Sequence, residues 1–121
     1  MKFCPYHLMQ SASGHWQFQR ITALLLVPLS IWLLVLCHQL FNATYTDVYS
    51  WLTKGINNGA ISMWLLAVCM HAVLGIQVVL EDYVSDMSWR SRLNIINHVW
   101  FSLIALSGFI CLQLIFWQGG I

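Results

Sequence analysis

The chain has 121 residues, a formal net charge of +1, 60% hydrophobic residues and 7% charged ones. An average soluble domain carries about 25% charged residues, so this composition excludes an ordinary water-soluble fold, and its hydrophobicity excludes disorder. The near-neutral balance leaves no basic footprint for nucleic acid.

The charges sit at Lys2, Arg20, Asp47, Lys54, Glu81, Asp82, Asp86, Arg90 and Arg92, which leaves uncharged windows at 21–46, 55–80 and 93–121. Each window exceeds the ~20 apolar residues that carry a helix across a hydrocarbon core. Runs such as LLLVPLSIWLLVL and ISMWLLAVCM do not alternate polar with apolar side chains, as membrane strands would. A helix satisfies its own backbone hydrogen bonds in lipid, so the windows predict an all-α membrane protein with three transmembrane helices.

In chain order, residues 1–19 form a polar and aromatic lead with Pro5 and Gly14, read as lying along the membrane surface. Helix one is predicted over 20–41, with Pro28 as its kink point. It starts too late for a secretion signal, and no small-x-small cleavage site follows it. Residues 42–57 read as a short outer connection whose YTDVYSWLTKG segment has the aromatic content of a membrane interface. Helix two follows over 59–84, a tight turn over 85–91 and helix three over 92–117, all in one membrane anchor domain spanning 1–121. Lys2, Arg20, Arg90 and Arg92 share one side against Lys54 on the other. That asymmetry places the N-terminus in the cytoplasm, or on the matrix side of a mitochondrion. Cys4, Cys37, Cys69 and Cys111 are too far apart for a zinc, iron–sulfur or dithiol motif.

The second helix concentrates the chemistry. With His71 at zero, a ~100° step per residue puts Gly75 at about 40° and both Trp64 and Asp82 at about 20°. One face therefore carries an imidazole at mid-depth, a glycine one turn on and a carboxylate at the inner boundary, with Tyr83 next to it. An ionisable group inside a span is a functional candidate, and imidazole is a standard axial ligand of haem iron. Gly75 leaves room for a flat macrocycle. The competing reading has His71 bonding a neighbouring helix and Gly75 allowing close packing. A rise of ~1.5 Å per residue puts His38 and His98 at other depths than His71, so a bis-histidine haem would draw its second ligand from another chain. Arg20 reads either as a snorkelling anchor or as a partner for carboxylates such as haem propionates. Tyr83 can donate a hydrogen bond to a quinone carbonyl, and Asp82 can relay protons or orient an arginine. The plainer reading of Glu81, Asp82 and Tyr83 is a helix that ends at the headgroups.

HAVLGIQVVLEDYV, residues 71–84, resembles the signature of the small D-type membrane anchor subunit of succinate dehydrogenase (succinate:quinone oxidoreductase, complex II). That pattern is a histidine, a glycine four on and an Asp-Tyr pair eleven and twelve on, here His71, Gly75, Asp82 and Tyr83. GHWQFQRITALLLVPLSIW, residues 14–32, resembles the start of helix one in proteobacterial members, with a Gln-Arg-x-Thr-Ala core at Gln19 to Ala23.

The resemblance implies a place in a heterodimeric cytochrome b anchor bundle. His71 would be one axial ligand of a haem b whose other ligand comes from a companion C-type cytochrome b anchor subunit, with Gly75 packing on the haem. Tyr83 would hydrogen-bond ubiquinone, Asp82 would support that site, and Arg20 would lie near the haem propionates and the quinone pocket. A flavoprotein subunit would oxidise succinate and an iron–sulfur subunit would pass the electrons on, linking the tricarboxylic acid cycle to the respiratory chain. The setting implied is membrane lipid, more a bacterial inner membrane than a mitochondrial one. A fumarate reductase anchor and a haem-free three-helix scaffold are the alternatives.

Overall fold

A chain this apolar has lipid as its solvent, so its helices need partners only for their few polar groups. The computed structural model describes residues 6–119, with side chains described at residue 14 and from residue 16 on. It consists of α1 (Tyr6–Gln39), α2 (Tyr45–Leu52), α3 (Gly55–Tyr83) and α4 (Met87–Gly119). Three helices are long and apolar enough to cross a membrane: α1 from Trp16 on, α3 and α4. The 33 residues of α4 exceed what a ~30 Å hydrocarbon core requires, so its ends reach into the headgroup region or it tilts.

The helices are longer than the charge-free windows alone suggest. The lead is helical from Tyr6 and continuous with the first span, and α1 runs on through Pro28. Residues 1–5 and the side chains of His7 and His15 lie outside the described residues. Helix two begins at Gly55 rather than 59, and α4 at Met87 rather than 92. The early start of α4 has a local cause. Asp86 Oδ1 accepts from the backbone N–H groups of Ser88 (2.8 Å) and Trp89 (3.3 Å), satisfying donors that a helix start leaves without partners.

The outer connection also contains α2, which hydropathy does not reveal. A capping box starts it: the Thr44 N–H donates to Asp47 Oδ2 at 3.0 Å, and the Asp47 N–H donates to Thr44 Oγ1 at 3.4 Å. Trp51 of α2 lies against Trp32 of α1, ring centroids 5.7 Å apart. Tyr45 and Tyr49 stack one turn apart. Such an aromatic cluster suits the membrane–water boundary.

α3 is the central helix. It packs against α1 on one side and α4 on another, while α1 and α4 make no close backbone contact among the described residues. Two apolar grooves of about 610 and 450 Å³ run along α3 between its flanking helices and share Leu66 and Met70. Burial is inverted relative to a soluble protein. Among the described residues, the buried side chains are Leu36, Ala67 and Cys69 together with the polar Thr22, Asn58, Ser62 and Asn97, while large apolar residues such as Leu24, Leu34 and Trp100 are exposed. Without a hydrophobic drive between helices in lipid, close packing and interhelical hydrogen bonds hold them together.

Candidate functional site

The α1–α3 seam holds the His71 part of the candidate site. Three pairs of residues run along it in antiparallel order. Trp64 Nε1 donates to Ser30 Oγ at 3.0 Å, Thr22 Oγ1 lies 3.1 Å from His71 Nδ1, and Gly75 faces Gln19. These α3 residues are the ones that helical projection puts within about 40° of His71. The structure therefore brings His71 and Gly75 onto one face, and that face meets α1.

His71 is half-buried within its span. Its bond to Thr22 is the interhelical contact that the plainer sequence reading expected, and it engages only Nδ1. No hydrogen bond to Nε2 occurs among the described residues. The packing half of that reading fails at Gly75. A Cβ built there comes no closer than 3.8 Å to Gln19 Nε2, an ordinary contact, so α1 does not require a glycine at this point. The tighter glycines lie on α4: a Cβ at Gly108 would lie 2.6 Å from Leu65 Cδ2 of α3, so that side chain would have to shift, and a Cβ at Gly119 would run into the Thr53 side chain.

The other candidates lie apart from this pair. Thr22 faces α3, and Arg20 stands about 160° round α1 from it by the ~100° step. Arg20 is exposed, its guanidinium 4.2 Å from the Trp16 ring centroid, a cation–π arrangement. Asp82 is exposed and Tyr83 is 84% exposed, both at the end of α3 by the α3–α4 turn. Glu81 is exposed. Its carboxylate accepts from Gln77 Nε2 at 3.0 Å, and its backbone carbonyl accepts from Arg90 at 3.4 Å. His38 and His98 are exposed, and His98 Nδ1 lies 2.8 Å from the Asn94 carbonyl of its own helix.

The α3–α4 seam has its own polar set, which reading along the chain missed. Asn58 Nδ2 donates to the Leu112 carbonyl at 2.8 Å, and its Oδ1 accepts from Gln113 Nε2 at 3.2 Å. Asn97 Nδ2 donates to the Val73 carbonyl at 3.0 Å. Thr22 was missed as well. A signal for it existed: Gln19, Thr22 and Ser30 fall within about 80° of one another on a helical projection of the first span. That polar stripe marks the α1 face turned to a polar neighbour.

Comparison with known proteins gives the family that this chain resembles. Residues 5–111 match the model of the succinate dehydrogenase/fumarate reductase transmembrane subunit family. A succinate dehydrogenase hydrophobic membrane anchor subunit of Rickettsia bellii is 37% identical over 101 residues, covering 84% of this chain and 80% of the relative. Proteins of the same name from Rickettsia conorii and Rickettsia felis are 32% and 33% identical, over 84% and 83% of this chain and 80% and 82% of their own lengths. No solved structure matches the chain.

Proposed function

The chain belongs to the succinate dehydrogenase/fumarate reductase transmembrane subunit family, and from that membership we propose that it binds haem b and helps build a ubiquinone reduction site. It does so with a companion C-type anchor subunit, and together they tether a flavoprotein and an iron–sulfur subunit to a bacterial inner membrane. The N-terminus lies on the cytoplasmic side, with Arg20, Arg90 and Arg92. The family covers both directions of the reaction, and the relatives' names favour succinate oxidation.

One observation carries the haem assignment: a half-buried imidazole within a span is held through Nδ1 while Nε2 has no hydrogen bond among the described residues. When one nitrogen of a neutral imidazole carries the hydrogen and donates it, the other offers its lone pair to a metal. When bound, haem supplies one-electron redox chemistry, tuned by its axial ligands and their hydrogen bonds. Gly75 supports the reading because its missing side chain is not demanded by α1. This chain offers one ligand, and the companion anchor supplies the second.

The quinone reading rests on the α3 terminus. The exposed Tyr83 phenol can donate to a quinone carbonyl, which binds and orients the ring. Asp82, exposed beside it, holds or relays a proton at that end. Arg20, stacked on Trp16, keeps its edge donors open to a carboxylate from outside this chain, such as a haem propionate, or to the quinone pocket.

The test is to purify the assembled complex in detergent through a tag on this chain and record its dithionite-reduced minus air-oxidised visible spectrum. A b-type band with about one haem per flavin is expected. Flavin and iron–sulfur signals without that band would leave a haem-free anchor.

A further inference from the structure

The Thr22 hydroxyl has three neighbours and one proton. Its Oγ1 lies 2.9 Å from the Phe18 carbonyl oxygen, 3.0 Å from that of Gln19 and 3.1 Å from His71 Nδ1. Carbonyl oxygens only accept. If the hydroxyl gave its proton to His71, two oxygen–oxygen contacts near 3 Å would be left with no hydrogen between them. If it gives the proton to its own helix, the remaining contact is satisfied only when His71 Nδ1 carries a hydrogen and donates to Oγ1. The second arrangement directs or shares the single hydroxyl proton among the two carbonyls and pairs the imidazole as well, so it leaves fewer contacts without a hydrogen. Thr22 is 6% exposed, so no bulk water competes for the bond.

We propose that Thr22 is the positioning residue of His71: its hydroxyl accepts from Nδ1–H, which fixes the tautomer and leaves the Nε2 lone pair for iron. The inference deepens the haem reading and rests on it. Metal-bound histidines characteristically donate their other ring N–H to a fixed acceptor, which sets the ring's orientation and raises its basicity. Here the acceptor lies on the neighbouring helix, so α1–α3 packing and the aim of the ligand are one arrangement. Thr22 does not touch the iron. It acts through His71.

The test uses the assembled complex with Thr22→Val, which keeps the shape and removes the acceptor, and Thr22→Ser, which keeps the acceptor. Two readouts are independent of turnover: the rate of haem transfer to excess apomyoglobin, and the g-values of the ferric haem in electron paramagnetic resonance, which report axial ring orientation. Thr22→Val is expected to lose haem about 10–100-fold faster and to shift the g-values, with Thr22→Ser close to wild type. If Thr22→Val does not assemble, Thr22→Ala decides by the same readouts. Wild-type haem retention and g-values in the acceptor-free variant, with His71→Ala perturbed, overturn the role of Thr22 and spare the ligand assignment. An unchanged His71→Ala spectrum overturns both.

Discussion

At the scale of single residues, His71 and Tyr83 have opposite settings, which suit the separate tasks proposed for them. His71 is held within the membrane by one interhelical hydrogen bond, whereas Tyr83 stands 84% exposed at the end of its helix. An exposed phenol contributes little to folding, so Tyr83→Phe removes an oxygen without disturbing packing. It should lower ubiquinone reduction by up to about tenfold, the worth of one hydrogen bond of ~0.5–1.5 kcal/mol, while succinate oxidation measured with an artificial dye stays at the wild-type rate. Equal losses in both assays would count against a quinone role. His71, Gly75, Asp82 and Tyr83 could be found in the sequence because all lie on one helix, where a fixed angular step relates them. Thr22 could not be paired with His71 in that way: the periodicity of α1 marks its polar face, but it does not say which residue, 49 positions away on another helix, that face meets.

At the scale of elements, two glycines distinguish helix packing from the haem packing proposed at Gly75. Gly108→Val must displace Leu65, and overpacking of this kind costs about 1–3 kcal/mol. Gly75→Ala meets only an ordinary contact with Gln19. Thermal unfolding of the purified complex should therefore fall for Gly108→Val and hold for Gly75→Ala, with the haem band shifted in the latter. A lower unfolding temperature in Gly75→Ala with an unaltered band would return Gly75 to helix packing.

The short helix α2 makes a different prediction. Hydrogen bonds from the Thr44 side chain and backbone hold the Asp47 carboxyl below its ordinary value of 3.8. A carboxyl depressed on folding contributes stability above its unfolded pKa, and that contribution disappears as pH falls through the folded value. The start of α2 should stay ordered at neutral pH and fray only in acid beyond the usual carboxylate range, as read by amide hydrogen exchange at Asp47. Asp47→Ala should fray it at every pH, and protection independent of both acid and substitution would exclude the capping box. Charge-free windows locate spans, and they say nothing of a helix lying at the boundary. The cue for α2 was the Thr-x-x-Asp spacing at Thr44 and Asp47, and for the early start of α4 it was Asp86.

At the scale of the molecule, α3 is clasped by two helices that make no close backbone contact with each other among the described residues, and the buried set there is small and largely polar. Ser62 Oγ and Asn97 Oδ1 are buried without a partner among the described residues. Apolar flanks of this extent are suited to lipid and to companion helices, which agrees with a subunit built to function in a complex. Three spans were legible because lipid imposes a length and a charge rule on every crossing segment. The row-like order α1, α3, α4 was not, because it depends on side-chain pairs such as Trp64 with Ser30 and Asn58 with Gln113.

The central claim is that His71 provides half of a haem site shared between two anchor subunits. Its most direct test is the dithionite-reduced minus air-oxidised spectrum of the purified complex, recorded for wild type and for His71→Ala at equal flavin content. A b-type band that weakens or shifts in the variant is the expected result. An identical band in both would place the haem ligands elsewhere and leave the Thr22–His71 contact as helix packing alone.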